Sequence, residues 1–428
     1  MKTIASSVLC LALDAVTISG THNLVLFLLI AASASAATTP KSSALDFTPN
    51  LPLVFLETTN TLSGDQKVSC TVTVTTPGAS NNHTRPALIR YHGATSQSYP
   101  KKSLAFTLAT SARLLDLRES THWVLNAAFI DRSLMRHKLS YDLFRSLSTT
   151  NAPRHAVASR FVEVFLNSRY RGVYLLMERV DRQLLELAAW RSNETHHACI
   201  YKAEDHAANF SQPGHGGYEQ REPDPVTRGD YWQPMEEYNR FVSRSSQPDF
   251  LHPLTGIGAR LDLANAIDFH LLVLLTSNID GITKNFLIAR NTPDAGQSQP
   301  KFFFAPWDYD GTFGRDWNAS PIDETVWLSN HLFNRLYQHP LYRLQVLTRW
   351  QALRQGPFAT ANLLSLIDTN VRTLGDAAQR NARRWAGAAG AYPDQITFEQ
   401  DIAQMKQWIE ARGNWLDAEL RRRAERGQ

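Results

Sequence analysis

The stretch from Leu271 to Gly314 constrains the fold of this 428-residue chain more than any other part of it. It combines the end of an apolar helix, a polar loop, two short apolar runs and an acidic turn. The two runs, NFLIAR and KFFFAP, are separated by Asn, Pro, Asp and Gly, which predicts an antiparallel hairpin. Because a hairpin brings its two ends together, we expect Asn285 and Asp308 to be neighbours.

The loop before the hairpin and the turn after it carry side chains that suit phosphate transfer. Asp280 is the candidate general base, and Lys284 is a candidate for neutralising charge during transfer. Oxygen ligands for a divalent cation are offered by Asn285, Asp308 and Asp310. Mg²⁺ is usually held by one or two carboxylates together with substrate phosphates, and a phosphotransferase also needs a carboxylate that orients the accepting hydroxyl. The pattern therefore predicts a metal-dependent phosphotransferase site.

Each of these residues also has an ordinary structural interpretation, which the local sequence leaves open. Asp280 can form a turn after the helix, and Asp308 and Asp310 can hold a loop through hydrogen bonds to backbone amides. Asp-x-Asp-Gly also begins calcium loops, although the remaining ligands of that pattern are missing here. The combination is more specific than its parts, because protein kinases place a base, a metal-binding Asn and a metal-binding Asp in the same order.

With these residues the chain resembles the CotH kinase family, the spore-coat-protein-H-like atypical protein kinases. The resemblance rests on the motifs NIDGITKN and PWDYDGTFG and extends over roughly residues 51–420. It implies an α+β, bilobal protein-kinase-like fold, with a β-rich N-lobe over residues 51–180 and a mainly helical C-lobe over residues 181–428. It also implies transfer of the ATP γ-phosphate to Ser or Thr of a protein substrate, with Mg²⁺ or Mn²⁺ as the metal.

By the same resemblance, the contacts to the nucleotide fall mostly in the amino-terminal half. The loop HGATSQSYP, which contains Ser96, lies between two predicted strands, and the second strand begins at Lys101 and Lys102, one of which would contact phosphate. Glu178 ends the strand that leads to a kinase hinge, and Lys202 is a further candidate phosphate contact. The sequence alone leaves open that Lys101 and Lys102 are solvated lysines at a strand edge and that Glu178 only ends its strand.

Helices are predicted from the 3.6-residue period of apolar side chains. The helix that follows the capping residues Asp131 and Ser133 takes the place of the single long helix of a kinase N-lobe. It contains no glutamate to pair with a strand lysine, which departs from the ordinary kinase arrangement. Residues 206–232 show no period and are predicted to form a long surface segment. The predicted helices cover residues 134–147, 181–190, 262–276, 358–385 and 398–420.

Composition limits the partners and the location of the protein. The 44 basic and 40 acidic residues give a net charge of +4, which is too small an excess to indicate a nucleic-acid partner.

The run NLVLFLLI followed by AASASAA predicts an export signal over residues 1–36, and a linker is predicted over residues 37–50. The run is too short for a comfortable transmembrane helix, which favours an export signal over an uncleaved anchor, and no stable membrane span is expected after cleavage. A secreted, periplasmic or cell-surface protein is therefore expected, in which Cys70 and Cys199 form one disulfide or two buried thiols.

Three functions are compatible with the sequence. The leading one is an atypical protein kinase that acts on an exported or surface protein. The second is a non-catalytic surface or coat protein on the same fold, because fold does not determine function and an exported kinase needs ATP outside the cytoplasm. A carboxylate-based hydrolase is the third, although nothing ties the site to sugars. Asp280, Asn285 and Asp308 together favour the kinase, since a protein that only binds has no need of all three.

Overall fold

The computed structural model describes residues 46–77, 83–194, 196–292, 300–391 and 395–425. The predicted export signal over residues 1–36 and most of the predicted linker lie outside the described residues. The chain from Pro49 onward forms one compact unit of strands and helices, which confirms the expected α+β class. No helix in the described part of the chain is both long and apolar enough to cross a membrane.

Seven strands of the amino-terminal half close into a barrel in the order β1-β2-β3-β4-β5-β7-β6. β1 and β6 are parallel, and the other neighbours are antiparallel. The sequence predicted a β-rich half but not this closure, and the bilobal kinase-like fold is not confirmed. The seven strands are β1 Leu53–Glu57, β2 Val68–Thr75, β3 His83–His92, β4 Ser103–Ala112, β5 Ser120–Asn126, β6 Ser159–Leu166 and β7 Arg169–Glu178.

Side chains alternate between the two faces of the barrel strands and so fill two different cores. Inward-pointing residues such as Val72, Ile89 and Phe106 form the apolar interior of the barrel. Outward-pointing residues of the later strands, among them Val124 and Phe161, belong to a larger core that continues through the helices. The barrel is thereby joined to the rest of the chain by continuous apolar packing.

The second half combines a small sheet with most of the helices. Four antiparallel strands lie in the order β11-β10-β8-β9. Their bounds are β8 Cys199–Ala203, β9 Tyr218–Glu222, β10 Phe286–Arg290 and β11 Phe303–Pro306. The α-helices of the described residues are α1 Arg136–Ser146, α2 Pro225–Arg228, α3 Gln233–Arg244, α4 Gln247–Phe250, α5 Leu263–Thr276, α6 His331–Leu336, α7 Pro340–Arg354, α8 Thr360–Leu374, α9 Asp376–Trp385 and α10 Phe398–Glu425.

The predicted helix over residues 181–190 is wrong. A single turn forms there, with the Oδ1 atom of Asp181 accepting a hydrogen bond from the amide of Leu184 at 2.8 Å. Glu186 then takes a left-handed conformation, with φ of 53°, which ends the turn. Leu185 and Leu187 are buried in a small core beside the second sheet, so tertiary burial overrides the local helical period. β9 likewise lies within residues 206–232, which were predicted to have no regular structure.

The helix predicted over residues 262–276 is confirmed as α5. The Oδ1 atom of Asp262 caps it by accepting a hydrogen bond from the amide of Asn265 at 3.0 Å. Residues 265–276 are all buried, as expected of a helix that is apolar all round. α5 therefore holds the loop that follows it at a fixed place in the core.

Both remaining cysteines are buried as free thiols. Cys70 lies in the barrel interior, and Cys199 lies on β8 in the larger core. Burial raises the pKa of Cys70 to about 12 and that of Cys199 to about 11. The structure therefore supports two separate, unreactive thiols over a disulfide.

Arg412 on α10 caps the carboxyl end of α5. Its buried guanidinium donates from Nε to the carbonyl oxygen of Leu274 at 2.8 Å, and from Nη1 to the carbonyl oxygens of Glu324 and Val326 at 2.6 and 2.8 Å. Burial lowers the pKa of Arg412 to about 9, although Asp323 and Glu324 oppose the shift. The side chain thus ties the carboxyl end of α5 to the loop that contains Glu324 and Val326.

Replacement of Arg412 by Met is expected to lower the free energy of unfolding by about 3 kcal/mol, because it leaves buried carbonyl groups without donors. Urea denaturation followed by circular dichroism measures the change. Arg421→Met is the matched control, since Arg421 is an exposed arginine on the same helix, and it should change stability by less than about 0.5 kcal/mol. Equal stability of the two variants would contradict a capping role for Arg412.

Candidate active site

The hairpin of β10 and β11 brings together the two ends of the predicted site. Phe286 lies opposite Pro306, and the amide of Trp307 donates to the carbonyl oxygen of Asn285 at 3.2 Å. Asn285 and Asp308 both have φ of 57°, a left-handed conformation that Asn and Asp adopt more readily than most residues. The predicted proximity of these two positions is therefore confirmed.

Two side chains hold the backbone of Asp308. Its amide donates to the hydroxyl of Tyr141 on α1 at 3.0 Å, and its carbonyl oxygen accepts from Nδ2 of Asn278 at 3.2 Å. Asn278 is buried, and its Oδ1 atom accepts from the amide of Gly281 at 2.9 Å. A Cβ atom at position 281 would lie 2.6 Å from Nδ2 of Asn278, so this glycine permits the contact. The loop after α5 and the acidic turn are thus locked to one another.

The carboxylates of Asp308 and Asp310 meet a histidine that the sequence did not indicate. One ligand atom each of His137, Asp308 and Asp310 lies within 4.8 Å of the other two. Nδ1 of His137 accepts from the amide of Tyr309 at 3.1 Å, and Nε2 lies 3.6 Å from Oδ1 of Asp308. Burial lowers the pKa of His137, and a neutral imidazole has one donor and one acceptor. Nε2 therefore carries the proton and faces the carboxylate of Asp308 at a distance longer than a hydrogen bond.

The two carboxylates form an uncompensated acidic pair. Burial, Asp308 and Asp131 together raise the pKa of Asp310 well above its ordinary value. Within the described residues, no lysine or arginine lies within ion-pair distance of Asp308 or Asp310. The half-buried side chain of Asn285 has no hydrogen bond to the described residues. Hard oxygen donors without a counter-charge fit a divalent cation such as Mg²⁺ or Mn²⁺.

Asp280 lies two positions after Asn278 and begins a short 3₁₀ turn, Asp280–Ile282. Its carboxylate lies 3.1 Å from Nζ of Lys284 and 3.8 Å from Nε2 of His206. Nδ1 of His206 is hydrogen-bonded to the hydroxyl of Thr283 at 2.7 Å. The side chain of Asp280 is 23% exposed. Its carboxylate can therefore be reached from solvent by the hydroxyl group of another molecule. His206 lies in the segment without periodicity, where the sequence gave no signal for it.

A buried ionic cluster holds the far end of the acidic turn. Nε of Arg136 donates to the carbonyl oxygen of Thr312 at 2.8 Å. Nη1 of Arg136 lies 2.6 Å from carboxylate oxygens of both Asp131 and Asp401. The other oxygen of Asp131 accepts from the amide of Arg136, the first residue of α1, at 2.8 Å, although Met135 and not Asp131 occupies the N-cap position. The turn is thereby tied to α1 and α10.

The ammonium groups of Lys101 and Lys102, one of which was predicted to contact phosphate, are hydrogen-bonded to oxygen atoms of the protein. Nζ of Lys101 is buried and donates to the carbonyl oxygen of Val173 and, at 2.9 Å, to Oδ1 of Asn381. Nζ of Lys102 donates to the carbonyl oxygens of the preceding loop, that of Tyr99 at 3.3 Å. The hydroxyl of Ser96 donates within the same loop, 3.4 Å from the carbonyl oxygen of residue 92. A nucleotide contact by any of these three side chains stays a prediction.

Glu178 and Lys202 occupy different surroundings. The carboxylate of Glu178 is buried and accepts from the amides of Arg118 and Ala158 at 3.0 and 3.2 Å, which favours the structural interpretation of this residue. Nζ of Lys202 lies 2.8 Å from Glu204 and 5.1 Å from the ring centroid of Trp307. Lys202 is therefore brought beside the acidic turn, whereas Glu178 is engaged at the end of β7.

Comparisons with known proteins identify the family of this chain. Residues 89–416 match the family model described as CotH kinase protein. Over 238 residues the chain is 29% identical to the inner spore coat protein H of Bacillus subtilis (strain 168), an alignment that covers 53% of this chain and 59% of that protein. The chain thus spans about three fifths of the length of this relative. Because the matched region covers most of the chain and contains the loop, hairpin and acidic turn, the protein belongs to the CotH kinase family.

Proposed function

We propose that this protein is a metal-dependent kinase that transfers the γ-phosphate of ATP to Ser or Thr of an exported or surface protein. The observation that carries the proposal is the locking of a partly exposed carboxylate, Asp280, to an uncompensated pair, Asp308 and Asp310, through Asn278. Membership of the CotH kinase family supports the reaction class. The relative named as a spore coat protein supports a surface location.

In the proposed reaction the residues of the chain have distinct tasks. Asp280 orients the accepting hydroxyl and takes its proton, and Lys284 offsets negative charge beside it. Asp308, Asp310 and the amide oxygen of Asn285 would hold Mg²⁺ or Mn²⁺. When bound, the cation would neutralise charge on the phosphates of the nucleotide. His137 is a positioning residue, which holds the acidic turn by accepting at Nδ1 from the amide of Tyr309.

A non-catalytic surface or coat protein is the second candidate. The engagement of Lys101 and Lys102 by carbonyl oxygens favours it, as does the absence of glutamate from the described helix α1. An ion pair between a strand lysine and a helix glutamate is part of ordinary protein kinase sites. A protein that uses the fold only for binding has no need of that pair.

Transfer of label from γ-labelled ATP distinguishes the two candidates. The purified protein is incubated with a generic acidic protein and Mg²⁺, Mn²⁺ or a chelator. A kinase labels itself or the added protein with either metal, and the label disappears with the chelator. Absence of label together with absence of metal-dependent ATP binding would favour the coat protein.

Replacement of His206 by Ala is expected to lower kcat about tenfold, because the imidazole helps to position Asp280 and Thr283. The KM for ATP should stay within about twofold, since His206 lies beside the base and not beside the metal ligands. Steady-state kinetics of the transfer reaction measure both constants. His196→Ala is the control, because His196 is exposed in the same part of the chain. Equal kcat values for the two variants would remove His206 from the site.

A further inference from the structure

The imidazole of His137 is held in a fixed position between α1 and the acidic turn. Nδ1 accepts from the amide of Tyr309 at 3.1 Å. The ring stacks on Tyr141, four positions along the same helix, with 5.7 Å between the ring centroids and 28° between the ring planes. The hydroxyl of Tyr141 in turn accepts from the amide of Asp308 at 3.0 Å. Because only 3% of His137 is exposed, these contacts also fix the position of Nε2.

The second nitrogen of this imidazole is a buried donor. Nδ1 offers its lone pair to an amide, so the proton of the ring is on Nε2. Within the described part of the chain, Nε2–H has no hydrogen-bond acceptor, since Oδ1 of Asp308 lies 3.6 Å away and hydrogen bonds from nitrogen are shorter. Buried donors in proteins are nearly always paired. Nε2–H is therefore expected to bind an acceptor from outside the chain.

This donor faces the carboxylates that are the candidate metal ligands. One ligand atom each of His137, Asp308 and Asp310 lies within 4.8 Å of the other two. A nitrogen that carries a proton has no lone pair for a cation, so His137 lies beside the two carboxylates without joining them as a ligand. A cation bound by Asp308 and Asp310 would hold its further oxygen ligands next to Nε2–H. For Mg²⁺ or Mn²⁺ these ligands are substrate phosphates and water.

We propose that Nε2–H of His137 donates a hydrogen bond to a phosphate oxygen of the nucleoside triphosphate. This inference rests on the proposed function, because it takes the nucleotide as the phosphate donor. A phosphate oxygen carries negative charge, and hydrogen bonds to charged acceptors are about twice as strong as those between neutral groups. Phosphate is therefore favoured over metal-bound water as the acceptor. His137 then has two tasks, holding the acidic turn through Nδ1 and binding substrate through Nε2.

Two substitutions separate the two nitrogen atoms of His137. The amide oxygen of Asn falls near the position of Nδ1, so His137→Asn keeps an acceptor for Tyr309 and loses the donor. The amide nitrogen of Gln falls near the position of Nε2, so His137→Gln keeps the donor. His196→Asn is the control, because His196 is exposed. Thermal melting of each variant checks that it is folded.

Isothermal titration of the full chain, saturated with Mn²⁺, measures the binding of tripolyphosphate and ATP. His137→Asn should weaken both about tenfold, the loss of one hydrogen bond to a charged group. His137→Gln should stay within about threefold of wild type. Affinities of His137→Asn within about twofold of wild type would overturn the proposal, and so would equal losses in the two variants.

Binding of Mn²⁺ alone distinguishes a phosphate donor from a group that holds the metal or its water. Electron paramagnetic resonance of the free ion measures this affinity, which should stay within about twofold of wild type in both variants. A loss of about tenfold in His137→Asn without phosphate would overturn the proposal.

The wild type provides a further measurement that needs no folded variant. In protein labelled with nitrogen-15 at histidine, the Nε2–H signal of His137 is identified as the one that Mn²⁺ broadens first. It should move downfield when tripolyphosphate is added with Mg²⁺, as a new hydrogen bond requires. Loss of that proton with Mg²⁺ alone, or an unchanged signal with tripolyphosphate, would contradict the proposal.

These results separate the role of His137 from the proposed function. Weaker tripolyphosphate binding in His137→Asn alone, with no phosphate transfer by the wild type, would support the role of His137 and contradict the kinase. Phosphate transfer by the wild type, with unchanged binding in His137→Asn, would support the kinase and overturn the role of His137.

Discussion

Replacement of Asp280 by Asn is expected to lower the rate of phosphate transfer about 10³-fold, within the range for loss of a positioned general base. The amide keeps the shape of the side chain but cannot accept the hydroxyl proton as a carboxylate does. Binding of ATP with Mg²⁺ should stay within about twofold of wild type, because Asp308, Asp310 and Asn285 are unchanged. Single-turnover transfer of labelled phosphate measures the first quantity, and calorimetric titration measures the second.

Asp249→Asn serves as the matched control for this substitution. Asp249 is an exposed aspartate at the start of α4, outside the loop and the acidic turn, and its replacement should leave the transfer rate unchanged within about twofold. A transfer rate for Asp280→Asn close to that of the control would exclude Asp280 as the base. Loss of both transfer and ATP binding would instead indicate that Asp280 takes part in holding the nucleotide.

Replacement of Asp401 by Asn is expected to lower the free energy of unfolding by about 3–5 kcal/mol, as in other buried ion pairs that lose one partner. The carboxylate of Asp401 lies 2.6 and 2.7 Å from Nη1 and Nη2 of Arg136 and 3.6 Å from Nη1 of Arg315. Without it, Arg136 keeps only Asp131 as an acidic partner in a buried position. Chemical denaturation of the two proteins measures the difference. Glu410→Gln, an exposed acidic residue on the same helix, should change stability by less than about 0.5 kcal/mol.

The same carboxylate gives the stability a defined dependence on pH. Burial alone would raise the pKa of Asp401, but the charges and hydrogen bonds of Arg136 and the charge of Arg315 hold it below its ordinary value. A carboxyl group whose pKa is lower in the folded state stabilises the protein above its unfolded pKa, about 3.9. That stabilisation is lost as the pH falls through the folded pKa. Denaturation curves at successive pH values below about 4 should therefore converge for wild type and Asp401→Asn. A difference that persists undiminished into strong acid would contradict this assignment.

The local parts of the site could be predicted from the sequence. The hairpin, the helix α5 and the proximity of Asn285 to Asp308 follow from turn residues and apolar period within about forty residues of chain. His137 could not be found in this way, because its role depends on the packing of α1 against the acidic turn.

The wrong helix at residues 181–190 and the unexpected hydrogen bonds of Lys101 have a common physical cause. Residues 181–190 have the leucine spacing of a helix, but Leu185 and Leu187 bury against the second sheet instead. Lys101 appeared available for phosphate because the sequence does not show that α9 brings Asn381 to its ammonium group. In both cases a contact between distant parts of the chain decides the outcome, and such contacts leave no trace in local periodicity.

The link between Arg136 and Asp401 also bears on the order in which the protein folds. The two residues are 265 positions apart, so α1 and the acidic turn gain this partner only when α10 has been synthesised. Closure of the barrel also depends on a distant partner, because β1 pairs with β6. Contacts of such long range slow folding and leave partly folded chains exposed to aggregation. A partly synthesised chain that lacks α10 would therefore hold the acidic turn with Asp131 as the acidic partner of Arg136, without Asp401.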